Sequence, residues 1–135
     1  DHFQVSPDGR LVAYTSEESG RVEVMVAPFP ALTPRRQVSV SGGAQPRWRG
    51  DGKELFFHSP DQQMFAVAVT PGDAQQVGRP RLLFRTNPAV HSNAIFHYAV
   101  TPDGQRFFLR EPAPGSSASA VEPLQVVVNW AALAK

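Results

Sequence analysis

The sequence is 135 residues long, with 41% hydrophobic residues, 19% charged residues and a formal net charge of +1. That is the size of about one domain, and so even a charge balance excludes a strong pull toward nucleic acid or an anionic membrane surface. The lack of cysteine excludes disulfides and thiolate metal sites, and no apolar run approaches the roughly 20 residues of a membrane span.

Thirteen prolines and ten glycines point to many turns and short strands. Opening at Asp1 with neither a methionine nor a signal sequence, the chain reads as a piece of something longer. His2-Phe3-Gln4-Val5 alternates and is the first expected strand. Ser6-Pro7-Asp8-Gly9 then has the residue types of a type I turn: proline sets φ near −65°, and glycine takes the positive φ that leads out into a strand. Arg10 to Ser16 is the second strand, Glu17 to Gly20 a polar turn, and Arg21 to Pro28 the third strand. Pro28, Pro30 and Pro34 interrupt regular structure before an outer strand, Arg36 to Ser41. Its residues Arg36, Gln37, Ser39 and Ser41 are expected to face water, and Gly42-Gly43 turns the chain into a second unit.

The second unit repeats the first at an offset of 43 residues without a gap. Its strands are expected at Ala44 to Arg49, Glu54 to Ser59, Met64 to Thr70 and Arg81 to Arg85. Ser16, Val24, Val26 and Pro28 fall on Ser59, Val67, Val69 and Pro71, all identities. Its turn, Arg49-Gly50-Asp51-Gly52, has glycine where the first has proline and so loses pre-organisation. After a polar loop over Thr86 to Ile95 comes a third unit, 52 residues beyond the second at the turn. It has strands at Phe96 to Val100, Arg106 to Glu111 and Leu124 to Val128, with Thr101-Pro102-Asp103-Gly104 as its turn and a Pro- and Ser-rich insertion over Glu111 to Glu122. Asp8, Asp51 and Asp103 are expected to bond their own turns.

Counted from each turn's glycine, Val12, Leu55 and Phe107 share one position and Tyr14, Phe57 and Leu109 another, both on one face of the strand. The position between them, on the opposite face, holds Ala13, Phe56 and Phe108. A sheet with one solvated face alternates apolar and polar residues. These strands do not alternate, so both faces are expected to be buried. Blades stacked about an axis bury both faces of each inner sheet, and a period of roughly 40 to 50 residues is that of propeller blades. The fold expected is all-β: a partial β-propeller of about three four-stranded antiparallel blades, the last incomplete. The blades would span residues 1–43, 44–86 and 87–135.

These residues resemble the TolB-like β-propeller repeat, a WD-repeat-like unit, and Ser6 to Ser16 carries the likeness best. The resemblance implies a six-bladed ring of which this chain is about half. The ending, Leu124 to Trp130, is similar to the carboxyl ends of propeller regions in some bacterial serine/threonine kinases. Such a segment is expected to be a non-catalytic scaffold, protein-interaction or sensor module of a larger bacterial protein, periplasmic or otherwise extracytoplasmic. The competing readings are the substrate-gating propeller of a prolyl oligopeptidase-like hydrolase and a propeller binding a ligand or ion on its axis.

No catalytic, cofactor-binding or metal-ligating residue is assigned, and no cofactor is expected. His2, His58, His91 and His97 form no ligand motif; His58 is expected to face solvent. No Gly-x-Ser-x-Gly elbow and no kinase motif occurs. Trp48, among the scattered arginines Arg35, Arg36, Arg47, Arg49, Arg79, Arg81 and Arg85, could stack on single-stranded nucleic acid, but its repeat position, shared with Val5 and Val100, makes it a core residue. Trp130 packs on a neighbouring blade or lies open where one is missing. The expected partners are another protein or a second copy completing the six-bladed ring, with neither nucleic-acid binding nor membrane insertion.

Overall fold

The computed structural model describes residues 3–85, 98–110 and 124–128, with residues 109, 110 and 124–128 described through their backbone alone. The expectations placed on His2, His91, His97, Trp130, the loop over 86–95 and the insertion over 111–122 lie outside the described residues.

Three antiparallel sheets are present among the described residues. Blade one runs β1 (Phe3–Val5), β2 (Leu11–Ser16), β3 (Glu23–Pro28) and β4 (Arg36–Gln37) in that order. Blade two has β5 (Ala44–Trp48), β6 (Glu54–His58), β7 (Gln63–Thr70), β8 (Asp73–Val77) and β9 (Arg81–Arg85). Blade three shows β10 (Tyr98–Val100), β11 (Arg106–Arg110) and β12 (Leu124–Val128).

The turn chemistry works as the residue types require. Gly9, Gly52 and Gly104 have φ of 76°, 73° and 73°. Each donates its N–H to the first residue of its turn, Ser6, Arg49 or Thr101, at 2.8 to 2.9 Å. Emerging from the turns, β2, β6 and β11 pair on both sides, so each lies inside its sheet.

Both faces of these strands are covered where a neighbouring sheet exists. Leu11, Ala13, Val24 and Val26 of blade one pack on Leu55, Phe57, Val67 and Val69 of blade two. On the other side of blade two, Phe56, Met64, Ala66 and Leu83 pack on Tyr98 and Phe107 of blade three. Leu55, Phe56 and Phe57 are consequently 0%, 0% and 1% exposed, three consecutive residues buried in a sheet held between two others. Trp48 is half-buried against the first cluster, and its Nε1 donates to the Gln4 carbonyl at 2.8 Å, tying β5 to β1.

Two strands depart from the sequence reading. The outer strand of blade one is two residues long, because at Val38 and Ser39 the chain turns inward: both are buried, Ser39 at 2% exposure against its expected solvent position. The Ser39 hydroxyl takes the place of a ladder carbonyl and accepts the Val24 N–H at 2.8 Å. Blade two has one strand more than expected. The first half of β7 pairs with β9, while its end pairs with β8. The turn Thr70-Pro71-Gly72-Asp73, with Gly72 at φ 80°, makes this hairpin. Asp73 to Val77 is too polar to read as a strand by hydrophobic pattern; only Ala74 is buried in the core.

His58 is a correction as well. It is 7% exposed rather than solvent-facing, because its strand lies between Ala44 on β5 and Met64 on β7 in the sandwiched sheet.

Candidate functional site

The chemistry-bearing groups of the repeat lie in the three turns. Asp8 Oδ1 accepts from Ser6 Oγ at 2.6 Å and from the Arg10 N–H at 3.0 Å. Asp103 Oδ1 accepts from Thr101 Oγ1 at 2.5 Å and from the Gln105 N–H at 3.0 Å. In the middle turn Arg49 supplies what the hydroxyl supplies elsewhere: its Nε and Nη2 hold Asp51 at 2.8 and 2.9 Å, and the Lys53 N–H adds a bond at 2.9 Å. These donors hold all three carboxyls below their ordinary range, the Ser6 hydroxyl leading for Asp8, the Arg49 guanidinium for Asp51 and the Thr101 hydroxyl for Asp103. Each aspartate bonds its own turn, as the sequence implies.

Adjacent turns also touch. The Gly50 N–H donates to the Pro102 carbonyl at 2.8 Å. A Cβ on Gly50 would stand 2.8 Å from that same oxygen and 2.9 Å from Pro102 Cβ, so only glycine permits the approach. What reads in the sequence as a loss of pre-organisation is therefore a contact between blades two and three.

Blade one holds one buried carboxylate, which sequence reasoning missed. Glu23 is 2% exposed. Its Oε1 accepts from Ser39 Oγ at 2.5 Å and the Gly42 N–H at 2.9 Å, and its Oε2 from Arg21 Nε at 2.9 Å. Two of these three donors belong to the segment leading to blade two, which makes Glu23 a clamp on that connection. The signal available was the lone acid in Arg21-Val22-Glu23-Val24-Met25, at a register position the strand buries.

The outer face of blade one is open. The register places Phe3 opposite Tyr14 and Val5 opposite Val12, all on the side away from blade two. A groove of about 600 Å³ runs over Phe3, Val12 and Tyr14 and is rimmed by Phe29, Leu32 and Arg35. Phe3, Phe29 and Leu32 are 66%, 41% and 51% exposed. Leu32 holds a left-handed φ of 68°, unfavourable for a bulky residue. At the rim, Arg35 grips both oxygens of Glu18, with Nη1 2.9 Å from Oε1. This pairing lowers the Glu18 carboxyl and, with help from the Tyr14 hydroxyl, raises the Arg35 guanidinium. A second groove of about 480 Å³ lies over Phe57 and Phe65, with Asp61 and Arg79 at its edge. Among the described residues no group of three His, Asp or Glu could hold a metal ion, and no helix is long and apolar enough to cross a membrane.

Sheets with a like turn between the first two strands of each, stacked face to face and covered on both sides at the centre, match solved propellers. An oligogalacturonate lyase from Vibrio parahaemolyticus superposes with a TM-score of 0.56 at 9% identity, over 85% of this chain and 30% of that one. A protein described as a putative TolB from Agrobacterium tumefaciens gives 0.55 at 14% identity, over 93% and 44%. The fold is that of a β-propeller. A periplasmic gluconolactonase from Pseudomonas aeruginosa gives 0.51 at 22% identity, over 95% of this chain and 42% of that one. The chain thus spans less than half the length of each of these propellers. No family model matches it, and no curated protein matches it in sequence.

Proposed function

We propose that this propeller segment is a non-catalytic scaffold that works by holding a protein partner. The carrying observation is where its polar and apolar groups are spent. The turn aspartates bond their own loops and Glu23 its own connection, while the outer face of blade one offers Phe3, Phe29 and Leu32 to whatever lies beside it. Rings of sheets present rigid edges and loops suited to partners. The similar structures come from bacteria, and one is periplasmic, which supports a bacterial and extracytoplasmic setting.

The competing reading is an enzyme, since lyase and lactonase propellers share the fold and a fold does not fix a function. Incubating the chain with oligogalacturonate and with gluconolactone, and following unsaturated product and lactone opening, decides between them. No turnover above the uncatalysed rate is expected. Turnover that falls on replacing Asp8, Asp51 or Asp103 with asparagine would overturn the scaffold reading.

A further inference from the structure

We propose that the groove over Phe57 and Phe65, at the seam of blades one and two, binds an extended peptide segment of a partner protein that carries an aromatic residue between a basic and an acidic one. The inference rests on the scaffold reading and names the chemistry of the partner.

The groove has fixed walls. Every residue lining it lies in blade two or in the connection that enters blade two, away from both ends of the chain. That connection forms one wall. Val40 stands 66% exposed between Ser39 and Gly42, which are both bonded to the buried Glu23 carboxylate. Another wall is Arg79-Pro80, placed by the preceding Gly78 N–H, which donates to the Ala68 carbonyl at 2.8 Å. The turn between β6 and β7 closes one end, where the Ser59 N–H donates to the Gln63 carbonyl at 2.9 Å. Beneath these, the half-buried Phe65 ring stacks on the buried Phe57 ring, with centroids 5.4 Å apart. The volume of about 480 Å³ falls within the roughly 300 to 1,000 Å³ of ligand sites, and walls held in this way lose little freedom on binding.

Charge decides what fits. Arg21, Arg35, Arg49 and Arg81 each pair with an acid of the chain. At the groove, Asp61 and Arg79 make no hydrogen bond or ion pair among the described residues. The backbone sets them at opposite ends. Asp61 lies in the turn just before Gln63, whereas Arg79 follows Gly78, the residue bonded to Ala68. Gln63 and Ala68 are five residues apart on β7 (68 − 63), roughly 16 Å of strand.

A free amino acid carries both its charges on one carbon, too close together to meet both ends. An extended peptide reaches: its residues i, i+2 and i+4 face one way and span roughly 13 Å, and the long Arg79 side chain covers the remainder. With the basic residue at Asp61 and the acidic one at Arg79, the residue between them lies over Phe65 and beside Val40. An aromatic ring there is the kind of anchor that dominates interfaces.

Heteronuclear NMR titration of the chain with end-capped Lys-Ser-Trp-Ser-Glu, and separately with Glu-Ser-Trp-Ser-Lys, tests the proposal. The two probes share composition and net charge and differ only in order. One order is expected to bind with a Kd of about 1 mM or tighter, shifting the amides of Val40 to Gly42, Asp61 to Phe65 and Arg79, and the other at least about threefold more weakly. Alanine in place of the probe's tryptophan should cost at least about tenfold. Asp61→Arg combined with Arg79→Asp alters two exposed positions, so the fold survives by circular dichroism while the preferred order reverses. Absence of shifts at about 5 mM probe overturns the proposal, as do shifts centred elsewhere, two orders that bind alike, an alanine probe that binds as tightly, or a double variant that keeps the original preference. None of these outcomes produces turnover of oligogalacturonate or gluconolactone, so the groove and the scaffold reading can fail separately.

Discussion

The seam between blades one and two is largely aliphatic, with Leu11, Ala13, Val24 and Val26 meeting Leu55, Val67 and Val69 around a single deep aromatic, Phe57. The seam between blades two and three is built of rings. Phe107 stands edge-on to Phe56 at 5.1 Å and to Phe84 at 5.3 Å, with Tyr98 at 6.3 Å. The same repeat position supplies Ala13 to one seam and Phe56 to the other. What the repeat keeps is the direction of the side chain and the filling of the gap. The volume is shared between the two sheets differently each time, as close packing allows when the total is kept.

The aromatic seam should be the easier of the two to break with one substitution, because more of its contact passes through one residue. Phe107→Ala is expected to cost about 3 to 5 kcal/mol in urea unfolding, the range for a buried aromatic truncated to alanine. Sheets that touch only their neighbours unfold semi-independently. Hydrogen exchange should therefore rise first in β10 and β11, with β2 and β3 keeping their protection. Equal loss of protection in blade one would show that the seams are one cooperative core. Tyr98→Phe probes the same seam more gently. The phenol is fully buried, which pushes its pKa far up, and its hydroxyl donates to the Gln45 carbonyl at 2.7 Å. Removing the donor strands that carbonyl, at an expected cost of about 1 to 3 kcal/mol by the same measurement.

The seams also show what can be read from sequence. The turns, the inner strands and the burial of both faces were legible, because Pro-Asp-Gly and an unbroken apolar run each have one local meaning. What escaped depends on what lies across a gap. His58 looks like a surface residue until blades one and three close over its sheet. Ser39 looks exposed until Glu23, sixteen residues earlier, draws it inward. The strand β8 carries a polar sequence because it pairs only with the far end of β7. The open face of blade one was implied by the repeat, but the groove over it was not, since Phe29 and Leu32 belong to a proline-rich connection with no counterpart pattern in blade two.

Gly50 sets the two seams apart at the level of the turns. The turns of blades two and three meet in a backbone bond there, whereas the nearest approach of Pro7 to a Cβ built on Gly52 is an ordinary 3.6 Å. Gly50→Ala should cost about 1 kcal/mol through overpacking against Pro102, while Gly52→Ala is opposed only by its own φ of 73°. Thermal melts of the two variants compare these costs. A Gly50→Ala variant as stable as the parent would mean that the turns do not bear on one another.

The smallest effect is that of acid on the same turns. Asp8, Asp51 and Asp103 lie below their ordinary value of 3.8 in the folded chain, so at low pH the unfolded chain takes up protons first. The stability they contribute is complete above 3.8 and drains away as pH falls through their lower native values. All three are at the surface, so salt weakens the effect. The melting temperature gap between the parent and each Asp→Asn variant should be widest near about pH 5 and close toward about pH 2. Asp51→Asn should leave the widest gap. It leaves Arg49 held by Glu54 alone, at 2.7 Å, and the Arg49 stem lies 2.8 Å from the position of a Gly104 Cβ and so helps join blades two and three, while the donors that hold Asp8 and Asp103 make no such contact across a seam. Equal gaps for all three variants would confine Arg49 to its own turn and leave the aromatic cluster and the Gly50–Pro102 bond to hold that seam.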